Sequence, residues 1–272
     1  MTSAKNPIVV IPARLHATRL PGKPLAEIAG QPMIVWVWRR GVAADVGPVV
    51  VACAEPEIAA AVEAAGGRAV LTRPEHPSGS DRIFEAVERV DPDRRHDTVI
   101  NLQGDLPTIA PEVVRAVLAP LDEPAVDIAT LAAEITHVAE RDDPSVVKAA
   151  IAFPPDQGPS PGRPAVARAL YFSRAAVPWD GGAARLPLYH HIGLYAYRRG
   201  ALARFVGYPP PALEGRERLE QLRALAAGMR VDVALVDTVP LGVDTPADLA
   251  RARRVMERTL ARSTPSPKSD LS

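Results

Sequence analysis

Short, almost wholly apolar runs alternate with amphipathic stretches through the first half of the chain, and few architectures accommodate that rhythm. Residues 8–11, 48–51, 68–71 and 98–102 are strand candidates. Between and after them, residues 32–44, 56–65, 80–90 and 111–121 carry helical spacing. Ile83, Phe84 and Val87 fall on one face, and so do Val113, Val114, Val117 and Leu118. A strand without a polar side is buried on both faces, which calls for a parallel sheet covered by helices. The expected fold is therefore α/β, with a Rossmann-like, mostly parallel sheet flanked by helices.

The rhythm changes after Asp127. Residues 128–133, 145–153, 165–172 and 188–197 read as strands, with no clear helix between the first two. The Pro-rich segment 154–164 suits a loop joining two antiparallel strands. The region of about 128–200 is thus expected to be an inserted β-rich dimerisation or lid region. Helical pattern returns at 215–227, a strand at 230–236 and a last helix at 245–261. One domain over 1–261 and a flexible tail over 262–272 are expected.

Charge and cysteine narrow the function. The chain has 32 Lys and Arg against 32 Asp and Glu, so no uniformly basic nucleic-acid binder is expected. At 47% hydrophobic, it has the apolar content a packed core needs. Cys53 is the lone cysteine, which rules out an internal disulfide and a Cys-rich zinc site. No apolar run approaches the ~20 residues of a membrane span, and 8–11 is too short for an export signal. A cytoplasmic protein without membrane partners is the expectation.

Three segments carry chemistry. Arg14, Arg19 and Lys23 sit in a Pro/Gly loop directly after the first strand, where open α/β sheets bind ligands. Arginine forks, a lysine point charge and loop N–H groups suit a polyphosphate, although a solvated basic loop would look the same. The loop matches neither the P-loop nor the dinucleotide glycine pattern. Gln103-Gly104-Asp105 follows the fourth strand, where an acid past a glycine can ligate Mg²⁺ or simply close a turn. In the string 242–249, Thr245, Pro246 and Asp248 fit the N-cap, N1 and N3 of a helix, which leaves Asp244 free to serve as a second metal ligand.

Together these strings resemble a family. R-x4-R-L-P-G-K-P-L from Arg14, H-P-S-G-S-D-R at 76–82, N-L-Q-G-D at 101–105, L-Y-F-S-R at 170–174, H-H-I-G-L-Y-A-Y-R at 190–198, L-E-Q-L-R at 219–223 and G-V-D-T-P-A-D-L at 242–249 occur in order. The pattern is similar to that of the 3-deoxy-manno-octulosonate (Kdo) cytidylyltransferases, members of the sugar nucleotidyltransferases. The resemblance implies transfer of CMP from CTP to Kdo with release of diphosphate, for lipopolysaccharide biosynthesis. It implies Arg14, Lys23 and Asp105 as catalytic residues, and Ala13, Arg14, Arg19, Lys23, Ser78, Gly79 and Arg82 around the nucleotide. It implies Gln103, Arg174, His190, Tyr195, Glu214 and Gln221 facing the sugar acid, Mg²⁺ between Asp105 and Asp244, and a homodimer. Adjacent strand residues point to opposite faces, so His190 rather than His191 is taken as the substrate contact. Tyr195 and Tyr197 share a face, and one of them serves the core.

Two departures stand out. Members usually carry Thr-Asp where this chain has Cys53-Ala54, and Gly-Asp-Glu-Pro where it has Leu106 in place of the Glu. These leave open another ulosonic acid as substrate, or nucleotide binding without turnover.

Overall fold

The apolar strands alternate their side chains between two cores, and that division organises the molecule. The computed structural model describes residues 6–16, 19–154, 164–179 and 187–263. In β1 (Pro7–Ala13), Val9 and Ile11 face one helical layer while Ile8 and Val10 face the other. The hairpin of β2 (Glu27–Ile28) and β3 (Gln31–Pro32) leads into α1 (Met33–Ala43). Then come β4 (Val49–Cys53), α2 (Pro56–Ala64), β5 (Arg68–Leu71), α3 (Gly79–Val90), β6 (Thr98–Asn101) and α4 (Pro111–Ala116). Ile34, Val35 and Val37 of α1, Ile58 and Val62 of α2, and Val113 and Val114 of α4 join the first core. Ile83, Ala86 and Val87 of α3 join the second. The helices therefore lie on both faces, as strands without a polar side require.

The second half completes the same sheet. It contributes β7 (Ile128–Glu134), α5 (Val138–Asp142), β8 (Lys148–Ala152), β9 (Val166–Ser173), β10 (Tyr189–Arg198), α6 (Arg199–Gly207), α7 (Ala212–Glu217), α8 (Leu222–Ala226), β11 (Val231–Leu235) and α9 (Pro246–Ser263). The nine strands run in the order β5-β4-β1-β6-β10-β7-β11-β9-β8. β5, β4, β1 and β6 pair in parallel, and β7 pairs in parallel with β11. β10 and β9 run against their neighbours. The sheet is thus mixed. The strands expected to form an insertion extend the sheet from its centre to one edge. β10 lies between β6 and β7, a non-local pairing that no spacing along the chain encodes.

Four local differences from the sequence reading have physical causes. The helix expected to reach residue 121 stops at Ala116, and a 3-10 turn at Ala119–Asp122 contains Pro120, which has no N–H to donate. The helix expected over 215–227 is two pieces. Arg174 Nε takes the Glu217 carbonyl at 2.8 Å, and Arg218 enters the left-handed region at φ 54°, so the ladder cannot continue. The five-residue α5 carries too little periodicity to have been read, and α6 follows β10 directly with no turn residue to mark its start. The expected loop 154–164 and tail 262–272 fall largely outside the described residues.

A third core under the β2–β3 hairpin joins Ile28 and Met33 to Val243 and to Leu249, Ala252 and Met256 of α9. It carries the segment before α9 toward the carboxyl ends of β1 and β6. Among the described residues no helix is long and apolar enough to cross a membrane.

Candidate functional site

At the carboxyl ends of β1 and β6 the chain leaves a cleft of about 380 Å³. Its walls come from segments far apart in sequence: Pro12 to Arg14, the loop of Arg19 and Lys23, Ser78 and Gly79 at the start of α3, Gln103 to Asp105, and Asp244. Close backbone approach brings the loop after β6 into place. A Cβ on Gly104 would sit 2.7 Å from the Pro12 carbonyl oxygen, so any side chain there would push the two segments apart. The Val243 N–H donates to the Asp105 carbonyl at 3.0 Å, which ties the two acid-bearing segments together. Gly22, at φ 69°, turns the cationic loop, and its N–H donates to the Leu15 carbonyl.

Lys23 is the centre of the charge pattern. Its Nζ donates to Asp105 Oδ2 at 2.9 Å and to Asp244 Oδ1 at 3.0 Å. Arg19 Nη2 lies 3.0 Å from Asp244 Oδ2. Burial disfavours the ammonium, but Asp105 and then Asp244 outweigh it and hold the Lys23 pKa above the ordinary lysine value. The Asp244 carboxylate has no part in starting α9, although its N–H joins the cap by donating to Asp248 Oδ2 at 3.4 Å. There Thr245 Oγ1 accepts from the Asp248 N–H at 3.2 Å and Asp248 Oδ2 accepts from the Thr245 N–H at 3.0 Å, a reciprocal cap.

The residues expected around the nucleotide all line this cleft. Arg14 is exposed and has no hydrogen-bond or ion-pair partner among the described residues. Arg82 is buried and also holds the wall. Its Nη1 donates to Thr72 Oγ1 at 2.5 Å and its Nη2 to the Pro74 carbonyl at 3.4 Å. Burial, reinforced by Arg14, lowers its pKa. Ser78 caps α3, accepting from the Asp81 N–H at 3.2 Å. Of the six sugar-acid residues, Gln103 lines the cleft.

The other five lie outside that lining, and the side chains of Arg174, Glu214 and Gln221 are engaged by neighbours there. Arg174 Nε and Nη1 donate to the Glu217 and Pro144 carbonyls, and His190 Nδ1 faces Glu140 Oε2 at 3.5 Å. Glu214 takes Arg223 in a two-pronged pair at 2.9 and 2.6 Å. Tyr195 stands opposite Asn101 in the sheet, 5.6 Å ring to ring from His191. Gln221 Nε2 lies 3.5 Å from His191 Nδ1.

His191 itself is buried, with Nε2 3.0 Å from Thr130 Oγ1 and its ring edge-on to Phe172. Burial and then the neighbouring His190 push its pKa down to about 3. The unfolded chain protonates near the ordinary value of ~6.5, so below that pH the unfolded state binds the extra proton and stability falls. Urea unfolding is expected to show about 1.4 kcal/mol lost per pH unit from pH ~6 to ~4.5 on this account. His191→Gln should flatten that slope. An unchanged slope in the variant would show that other groups set it.

Residues not singled out from the sequence also shape the site. His16 and His76 line the cleft, the second within the H-P-S-G-S string. Glu220 Oε2 accepts from Ser80 Oγ at 3.0 Å, and burial raises its pKa. Glu55 Oε1 accepts from the Leu15 N–H at 3.1 Å, anchoring the start of the cationic loop, while its Oε2 is buried without a hydrogen-bond partner. A carboxylate one residue past Ala54 thus braces the loop. Glu55→Ala is expected to raise KM for the nucleotide about fivefold to tenfold, the loss of about one charge-assisted hydrogen bond, with kcat little changed. Glu55→Gln, which keeps an acceptor, should recover most of it. Equal KM values in all three proteins would exclude the brace.

Of the positions that depart from the family pattern, Cys53 and Leu106 turn inward, while Ala54 is half-buried. Cys53 is fully buried, and burial raises its thiol pKa to about 11. Leu106 is 8% exposed and packs in the first core, outside the cleft lining.

Residues 8–231 match the family model described as Cytidylyltransferase. The chain is 66% identical over 264 residues to a 3-deoxy-manno-octulosonate cytidylyltransferase of Rhodospirillum centenum, covering 96% of this chain and 98% of that protein. It is 62% identical over 252 residues to the protein of that name from Paramagnetospirillum magneticum, covering 93% and 98%. A solved structure of CMP:2-keto-3-deoxy-manno-octonic acid synthetase complexed with CTP superposes with a TM-score of 0.84 at 39% identity, covering 94% of this chain and 100% of that one. A nucleotidyl transferase from Methanothermobacter, at TM-score 0.57 and 15% identity, shares the fold.

Proposed function

This chain belongs to the cytidylyltransferase family, and within it we propose that it transfers CMP from CTP to Kdo, releasing diphosphate. The observation that carries this reading is the pairing of Asp105 and Asp244 around Lys23 in a cleft whose other charged side chains, Arg14, Arg19 and Arg82, are cationic. That arrangement suits a polyphosphate meeting a sugar acid, two anions that repel unless neutralised. The relatives' names and the CTP complex of a similar protein support the choice of substrates.

In the reaction, the anomeric hydroxyl oxygen of Kdo bonds to the α-phosphorus. The bond from that phosphorus to the bridging oxygen breaks, and diphosphate leaves with the electron pair while the hydroxyl loses its proton. Arg14 and Arg19, at the mouth, hold the outer phosphates. Lys23, deeper in the cleft, meets the charge that grows as the bond breaks. Ser78, Gly79 and Arg82 form the wall for the cytidine, and Ala13 lays its backbone beside it. Gln103 reaches the sugar acid from the floor of the cleft. Arg174, His190, Tyr195, Glu214 and Gln221 are assigned to the same substrate by family resemblance.

Among the described residues no three His, Cys, Asp or Glu side chains cluster as a metal site. Two carboxylates converging within 3.0 Å of one point nevertheless fit Mg²⁺, which ordinarily takes one or two protein carboxylates and completes its shell with phosphate and water oxygens. Asp105 and Asp244 would hold it, and when bound it supplies Lewis acidity toward the α-phosphate and the attacking hydroxyl.

The function includes assembly and place. Leu170 on β9, 58% exposed, and Phe153 directly after β8, 37% exposed, put apolar side chains on the β8–β9 end of the sheet, which supports a homodimer formed there. Light scattering should report twice the chain mass. We place the protein in the cytoplasm, supplying CMP-Kdo to lipopolysaccharide biosynthesis. Diphosphate release is expected to require both CTP and Kdo. Release at the same rate without any sugar acid would overturn the assignment, and faster turnover of a different ulosonic acid would replace Kdo as the substrate.

A further inference from the structure

Lys23 Nζ occupies the point on which Asp105 Oδ2 and Asp244 Oδ1 converge, at 2.9 and 3.0 Å. Arg19 Nη2 takes the other oxygen of Asp244 at 3.0 Å. Lys23 is the inner cation, with its side chain 16% exposed against 67% for Arg19. Two acids are therefore matched by two cations, and Asp105 and Asp244 are the acidic side chains lining the cleft. Mg²⁺ held by both carboxylates needs the space the ammonium fills, since it binds oxygen at about 2.0–2.1 Å. Lys23 would then have to leave. Once displaced it meets only more positive charge on the walls, from Arg14 and Arg82. A divalent cation arriving alone thus adds charge to a site already balanced. A triphosphate reverses this, because it offers Lys23 and Arg19 a new partner.

We propose that Lys23 is a place-holder for the metal: it neutralises Asp105 and Asp244 in the free protein, and the triphosphate draws it away. Metal and nucleotide consequently load together, and the free protein resists a divalent cation on its own. The proposal rests on the metal reading of Asp105 and Asp244.

Mn²⁺ serves as the probe, with binding followed by electron paramagnetic resonance of the free ion. The proteins compared are the natural chain, Lys23→Met, Lys23→Arg, Asp105→Asn and the Lys23→Met/Asp105→Asn double variant, each without nucleotide and with CTP, after correction for Mn²⁺ held by CTP in solution. Without nucleotide, Lys23→Met is expected to bind Mn²⁺ about tenfold tighter or more than the natural chain. Lys23→Arg should show no gain, and the double variant should lose the gain. With CTP the advantage of Lys23→Met should disappear. Equal affinity of the natural chain and Lys23→Met without nucleotide overturns the place-holder, provided Mn²⁺ held with CTP still depends on Asp105. If Mn²⁺ binding is indifferent to Asp105 even with CTP, the metal reading itself fails and the place-holder with it.

Discussion

Asp105→Asn is expected to lower kcat about a thousandfold while the protein stays folded. The substitution keeps the shape and one oxygen acceptor for Lys23 but removes the charge that, with Asp244, would hold Mg²⁺. Interactions aimed at charge developing in a transition state are typically worth about 10²–10³ in rate each, and loss of a metal ligand adds to that. Stability should change little. The Lys23–Asp105 pair is partly exposed, at 16% and 29%, and such pairs contribute about 1 kcal/mol or less. Thermal melting therefore reads the fold and coupled diphosphate release reads the chemistry. A loss of activity under tenfold, with an unchanged melt, would remove Asp105 from the reaction.

The largest effect on stability is expected away from the cleft, at Asp91. This residue ends α3, and its carboxylate accepts the Arg95 and His96 N–H groups at 2.9 Å each and the Arg199 guanidinium. Asp91 and Arg199 are 5% and 9% exposed, and Arg199 Nη2 also takes the Asp91 carbonyl at 2.8 Å. Burial alone would raise the Asp91 pKa, but the hydrogen bonds from His96 and Arg95, with Arg199, bring it below the ordinary carboxylate value. Its contribution is therefore complete above the unfolded carboxylate pKa and is lost as the pH falls through the folded one. That window opens near pH ~4, well below the ~6.5 at which the His191 effect sets in, and overlaps only its acid end. Asp91→Ala strands the buried guanidinium and should cost about 3–5 kcal/mol at pH 7, measured by urea unfolding. Asp91→Leu with Arg199→Met should recover part of the loss, because an apolar pair leaves no buried charge. A cost under about 1 kcal/mol would mean that Glu88, 2.9 Å from Arg199, already suffices.

Much of the fold could be read from local pattern. β1, β4 and β6 with α1 to α3 fell where runs of Val and Ile alternated with helical spacing, because a strand buried on both faces and a helix with one apolar stripe differ in period. The pattern was weaker where tertiary hydrogen bonds overrode it. The 215–227 stretch has helical spacing throughout, yet Arg174, more than 40 residues earlier, takes the carbonyl that the helix would have used. α5, five residues long, offered no full period to detect.

The site was legible to a similar degree. The cationic loop, the Gly-Asp turn and Asp244 were visible because the proposed phosphate and magnesium chemistry needs those residue types at the ends of strands. Glu55 and Glu220 were not, since an acid beside a helix start looks like any surface acid until Leu15 or Ser80 is seen against it. Five of the sugar-acid residues show the opposite limit. They lie outside the cleft lining, and Arg174, Glu214 and Gln221 are engaged by neighbours there, so a motif did not fix what its side chains touch.

By itself, the sequence determined the α/β class, the parallel half of the sheet and the residue types proposed to handle phosphate, because these follow from the period of burial and from chemistry carried by short segments. The tertiary structure alone decided that the later strands complete the first sheet, with β10 between β6 and β7, and that Lys23 stands between Asp105 and Asp244. Strand pairing and ion pairing join residues that are distant along the chain, 82 positions for Lys23 and Asp105 and 221 for Lys23 and Asp244. Local propensity carries no term for such distances; packing of the cores on both faces of the sheet, and of the third under the hairpin, sets them.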